Sequence, residues 1–171
     1  EGHGGWRADQ IDAEINKWLP LTNPDIVLLH IGTNDVSNGD PNNSTITEIE
    51  SIVDKIHAYN SNTAILLCSL IPRNDDSSDK NENLNVYIED LFYRKKEDGY
   101  PIYYVGQNEL FENDPNWAVD YLDDAVHPNN DGYALMAQAF YVAILNVLNG
   151  ASPYVTDNFN RQDLGVCWVV E

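Results

Sequence analysis

The sequence predicts an α/β fold in which a parallel sheet carries helices on both faces, and three observations predict it. Residues 26–31, 64–71 and 102–105 are short runs apolar almost throughout, as strands buried on both faces are. Between and around them lie stretches whose apolar residues recur three and four apart, the spacing of an amphipathic helix. Each apolar run ends at Gly32, Pro72 or Gly106, residues that turn the chain at the rim of such a sheet.

Taken in order, Gly2, Gly4 and Gly5 form a flexible turn into a helix over residues 7–19. There Ile11, Ile15, Trp18 and Leu19 share a face and Pro20 ends the pattern. Glycines before a helix expose backbone N–H groups to an anion or a developing oxyanion, although Gly-Gly also serves as a plain turn. The first strand, with five apolar residues of the six from Ile26 to Ile31, stops at the turn Gly32-Thr33-Asn34-Asp35. In open α/β sheets ligands bind at the carboxyl ends of the strands. Asn34 either offers its amide hydrogens to a substrate oxygen there, or closes the turn or caps a helix.

Residues 38–43 form a loop, and residues 45–59 place Ile46, Ile49, Ile52, Val53 and Ile56 at helical spacing. After the second strand, residues 73–83 read as a mobile loop. Its Asp75, Asp76 and Asp79 are compatible with calcium in residue type, but their spacing matches no complete binding loop and suits a solvated acidic segment better. Residues 84–94 form a helix with Leu84, Tyr87, Ile88, Leu91 and Phe92 on one face, followed by the strand at 102–105. A long helix runs from Tyr133 to Gly150, its start capped by the Asn/Asp cluster at 129–131. The chain then changes character, so residues 1–150 are read as one domain and 151–171 as a tail ending in the β-prone run 166–170.

Length and composition agree with one globular domain. With 28 acidic and 9 basic residues the formal charge is −19, which disfavours nucleic acid and anionic membranes as partners and suits a neutral substrate. No continuous apolar run approaches the roughly 20 residues of a membrane helix. No signal peptide stands at the start, and the opening residues do not look like a natural beginning. Cys68 and Cys167 allow one disulfide but lie in apolar surroundings that suit buried thiols, while Asn42 and Asn43 each head an Asn-x-Ser/Thr triplet.

Asp124 and His127 are three residues apart in a loop just before the last helix. A carboxylate at that spacing can hold one imidazole nitrogen and leave the other to take a proton, the orienter and general-base half of a serine hydrolase. Either residue alone also suits a surface or capping position, and Asp123 is an adjacent competitor. The joint occurrence of Gly-Thr-Asn-Asp after one strand and Asp-x-x-His-Pro before the last helix argues for the catalytic alternative.

With these motifs the sequence resembles the SGNH (GDSL-type) hydrolases, most closely carbohydrate esterase family 3. The resemblance runs through Glu1-Gly2-His3-Gly4-Gly5-Trp6-Arg7, through residues 24–35 and through Asp124-Ala125-Val126-His127-Pro128-Asn129 with Gly132-Tyr133, and covers residues 1 to about 148. It implies a three-layer α/β/α, flavodoxin-like fold and removal of acetyl groups from plant polysaccharide such as acetylated xylan. His127 would be the base, Asp124 its orienter, and Asn34 and Gly5 the oxyanion donors. It implies no cofactor beyond a structural calcium ion.

One departure is large: the Gly-Asp-Ser-x motif that carries the nucleophile has no counterpart in these 171 residues. Ser37, Ser44 and Ser69 lie in the wrong contexts to replace it. The expected sheet therefore lacks its first strand and helix, with a vacancy at its centre. Three readings follow. The nucleophile lies on a missing segment or another chain; or the domain binds carbohydrate without turning it over, using aromatics such as Trp6, Trp117 or Tyr121; or the tail strand at 166–170, from this chain or a swapped neighbour, fills the sheet without supplying a serine. The acidic surface suggests a secreted, extracellular protein.

Overall fold

The computed structural model describes residues 2–150 and, beyond them, the backbone of a short strand at Tyr154–Val155. The elements are α1 (Ala8–Thr22), β1 (Ile26–Leu29), α2 (Thr33–Asn38), α3 (Asn42–Tyr59), β2 (Ala64–Cys68), α4 (Ser78–Glu97), β3 (Ile102–Val105), α5 (Gln107–Glu112), α6 (Trp117–Asp120), α7 (Asn130–Leu148) and β4 (Tyr154–Val155). The four strands pair in parallel in chain order. Ile26 stands opposite Ala64, and Ile65 opposite Ile102.

Alternation along the strands sorts the core into two layers. Leu29, Ile65, Leu67, Ile102 and Tyr104 face α1, α3 and α4 and pack on Ile15, Ile49, Ile52, Ile56, Ile88 and Phe92. Leu66, Cys68 and Val105 face the other way and meet Leu110, Ala139 and Ala143, where the small residues let α7 approach the sheet closely. Each large apolar side chain so buried contributes about 1.5–3 kcal/mol relative to exposure. The α/β/α layering expected from the alternating apolar runs is the observed one, and it places the loops after β1, β2 and β3 on one rim. α7 is long and apolar enough to cross a membrane by length and composition, with a mean hydropathy of 1.3, but it carries Asp131, Gln138 and Asn146 and lies against the sheet through its alanines.

Several boundaries differ from the expected ones for local reasons. Pro20 lies inside α1, because in the last turn it sacrifices only one ladder bond; the helix closes at Asn23, left-handed at φ 41°, whose N–H donates to Leu19 O at 2.8 Å. α4 begins six residues before the apolar periodicity does, at Ser78. The segment after β2 is not the expected mobile loop. Asn81 donates to Ile71 O at 3.1 Å, and Asn85 both accepts from Leu70 N (2.7 Å) and donates to Leu70 O (3.0 Å), so helix side chains replace the missing ladder partners. The short helices α2, α5 and α6 carry too few residues for a periodic signal.

Among the described residues β1 to β4 pair without interruption, so the vacancy expected at the centre of the sheet is not found between them. Among the described residues no strand pairs with the outer edge of β1. This also corrects the expectation that the first strand is buried on both faces: Leu28 is 45% exposed, whereas all five residues of β2 are buried. An apolar groove lined by Ile11, Ile15, Trp18, Leu19 and Leu28 follows this edge. The tail strand at 166–170 and Cys167 lie outside the described residues.

Candidate active site

The loop before α7 is built around Asp124. Its Oδ1 accepts the backbone N–H groups of Val126 (2.7 Å) and His127 (2.8 Å), and its Oδ2 lies 2.8 Å from His127 Nδ1. The backbone N–H of His127, then that of Val126, then the imidazole hold the Asp124 pKa down to about 2, so at neutral pH the carboxylate is ionised and can only accept. Nδ1 of a neutral His127 must therefore carry the proton, which leaves the Nε2 lone pair as the basic site. The ring is 72% exposed, so that nitrogen is reachable from solvent. Asp123 does not compete: its backbone N–H donates to His127 O at 2.9 Å and its side chain is exposed, so the turn selects Asp124 as the partner of the imidazole.

Backbone pairing steadies this loop. Leu122 and Pro128 form an antiparallel bridge, and Asn129 N donates to Tyr121 O at 2.9 Å. Asn129 caps α7 by accepting from Asp131 N (2.9 Å) and Gly132 N (3.0 Å), as the Asn/Asp cluster predicts.

On the other side of the rim, Asn34 is the second residue of α2 and its Nδ2 donates to Trp6 O at 2.8 Å. One amide hydrogen is thereby engaged with the Gly2–Trp6 turn and the other is left for a further acceptor. Gly5 sits in that turn at φ +81°, a left-handed conformation that explains the glycine. Asp35 joins α1 to α2: both carboxylate oxygens accept from Ala8 N, at 3.1 and 3.2 Å. It is 1% exposed, and burial pushes its pKa up to about 6 against the opposing pull of the Ala8 N–H. Asn34, Gly5 and Trp6 thus come together in one substructure, and a groove beside them is lined by His3, Trp6, His30 and Asn34.

His30 carries no signal in the sequence pattern, since a histidine ending an apolar strand resembles a core residue. Its Nε2 is enclosed without a hydrogen-bond partner, and desolvation lowers its pKa to about 4, so the ring is neutral at pH 7. The serines are engaged elsewhere. Ser37 Oγ donates to Thr33 O, Ser44 Oγ to Glu48, and fully buried Ser69 Oγ donates to Glu109 while accepting from Asn108 N. Cys68 is buried, and desolvation pushes its thiol well up. The acidic segment at 75–79 presents no assembled carboxylate cluster for the calcium ion that the resemblance suggests. Among the described residues no group of three or more His, Cys, Asp or Glu could hold an ion, and both oxygens of Asp75 are taken by Arg73 at 2.7 and 2.6 Å.

A parallel α/β sheet with an Asp-held histidine and an asparagine on its carboxyl rim defines a class, and residues 1–135 match the model of the GDSL-like lipase/acylhydrolase family; the chain belongs to that family. It is 27% identical over 139 residues to a protein of Acetivibrio thermocellus named endoglucanase X, an alignment covering 81% of this chain and 58% of that relative. The chain thus spans little more than half the length of the curated relative it matches. Among solved structures it is similar to a family 3 carbohydrate esterase of Clostridium thermocellum (29% identity, TM-score 0.74, 89% of this chain and 72% of the other). It is likewise similar to a carbohydrate esterase family 3 protein of Talaromyces cellulolyticus (26% identity, TM-score 0.77, 89% and 72%).

Proposed function

We propose that this chain supplies the base and oxyanion half of an ester hydrolase that removes acetyl groups from carbohydrate, acetylated xylan being the favoured substrate. The observation that carries the reading is the Asp124–His127 pair at 2.8 Å, which leaves Nε2 to take a proton. A serine hydroxyl attacking the acetyl carbonyl would pass its proton to that nitrogen, and the proton would then go to the departing sugar oxygen; water releases acetate by the same route in reverse. Asn34, through its second amide hydrogen, and the Gly5 N–H are the donors to the tetrahedral oxyanion. The −19 charge suits a neutral esterified sugar and repels the acetate product.

The nucleophile must come from outside these residues. The open edge of β1 runs into Gly32-Thr33-Asn34, so a strand added in parallel along it would end beside Asn34. Its apolar groove would bury one face of that strand. The lack of a Gly-Asp-Ser motif also favours a second reading, in which the domain binds carbohydrate without hydrolysing it. The secreted setting belongs to the same proposal and rests on the acidic composition alone.

Native mass spectrometry beside an assay on p-nitrophenyl acetate separates the two. A copurifying peptide with Gly-Asp-Ser and measurable turnover supports the hydrolase; a single 19.3 kDa species without turnover leaves the binder. In the complemented enzyme His127→Ala is expected to lower kcat by about 10² or more. Asn34→Ala is expected to cost about 10² to 10³, and a rate indifferent to Asn34 would remove it from the oxyanion site.

A further inference from the structure

We propose that Arg73 is a positioning residue that fixes the spacing between the helix carrying Asn34 and the loop carrying Asp124 and His127. The inference rests on the hydrolase reading only for the purpose of that spacing. Arg73 is one of 9 basic residues in the chain and is 6% exposed. Burying a guanidinium is costly unless its donors are met. Here Nε and Nη2 form a fork on Asp75, at 2.7 and 2.6 Å, and Nη1 donates to Ser37 Oγ at 3.2 Å. Asp75 Oδ1 also accepts Ser77 N at 3.0 Å, which ties the fork to the start of α4.

The two sides of the rim meet through this segment. Ser37 lies three residues after Asn34 in the single short helix α2, and its hydroxyl donates to Thr33 O at 3.0 Å. The residue after Arg73, Asn74, donates its N–H at 2.8 Å to the carbonyl of Ala125, between Asp124 and Val126. The base of the segment is held by Asn81 and Asn85 of α4 through Ile71 and Leu70. One side chain therefore grips the Asn34 helix while the next backbone N–H grips the His127 loop, and both are referred to α4. A base and an oxyanion donor on separate elements require such a common reference, since misplacement by about 1 Å costs about 10² in rate. Lysine would not substitute: a point charge cannot hold the Asp75 carboxylate by two bonds and reach Ser37 at once.

Hydrogen–deuterium exchange on the chain as it stands tests the bridge whether or not an ester is cleaved. In Arg73→Gln, amides in 33–39 and 122–129 are expected to exchange at least about tenfold faster, with α3 unchanged. The His127 Nδ1–H resonance should broaden as its contact with Asp124 becomes transient. Ser37→Ala, which removes the acceptor of Arg73 Nη1 at an exposed position, should accelerate 33–39 and leave 122–129 protected by Asn74. Asp75→Asn should act in the same direction as Arg73→Gln and carries the test if that variant fails to fold. Unchanged exchange at both segments in a folded variant, or equal acceleration everywhere including α3, overturns the proposal. Loss of esterase turnover with these exchange patterns intact would count against the proposed function and not against the bridge.

Discussion

Asp35 and His30 show how two residues at one strand end set opposite pH dependences. Asp35 has a folded pKa near 6 against an ordinary 3.8, so the native state binds its proton more tightly and this group's contribution to stability falls as pH rises from about 4 to 6. The shift corresponds to an upper bound of about 3 kcal/mol at 1.36 kcal/mol per pKa unit. His30 has a folded pKa near 4 against 6.5, so the native state binds its proton less tightly and stability is lost as pH falls through the same interval. The two slopes oppose each other in the native chain. Asp35→Asn keeps an acceptor for Ala8 N but removes one slope, and thermal unfolding should then show a melting temperature that drops on acidification from pH 6.5 to 4. His30→Gln should show the reverse, a rise on acidification. Identical pH profiles in both variants would mean that these groups do not titrate differently in the folded state.

Among the elements, α7 and the loop before it are held together by contacts that admit little change. A Cβ at Gly132 would run into the Tyr121 carbonyl oxygen and lie 3.0 Å from Pro128 Cβ. Gly132→Ala should therefore push α7 away from the loop, at a cost of about 1–3 kcal/mol typical of overpacking, read from the denaturant midpoint at unchanged slope. Asn129→Ala removes the cap accepting from Asp131 and Gly132 and its donation to Asp120 O at 2.9 Å, and should cost about 1 kcal/mol. If either variant leaves stability and the His127 resonances unchanged, the loop is positioned by something other than these contacts.

At the scale of the whole molecule, β1 has an open edge among the described residues, beside an apolar groove, on a chain of charge −19. An unpaired strand edge is a template for pairing, while like charge keeps copies apart. Salt screens that repulsion over about 10 Å at 0.1 M, so self-association should rise with ionic strength. Leu28→Lys places a charge on the edge and should suppress the rise, as sedimentation velocity at low and high salt would report. Salt-independent association, or no effect of Leu28→Lys, would place the contact on another face.

Much of the fold was legible in the residues. Apolar runs at 64–68 and 102–105 and helical spacing in α1, α3, α4 and α7 depend on local pattern, which burial of one face imposes directly on the sequence. The Asp-x-x-His spacing likewise carried its own geometry, because both groups lie in one turn and the Asp124 carboxylate needs only local N–H groups to be placed. What lay beyond the sequence depends on long-range pairing. That Asn34 spends one hydrogen on Trp6, that Asp35 welds α1 to α2 and that Arg73 and Asn74 join Ser37 to Ala125 involve partners 27 to 51 residues apart, which no local period records. The order of the strands, and with it the open edge along β1, was decided only when β1, β2 and β3 paired, because apolar runs look alike whether a strand ends in the middle of a sheet or at its side.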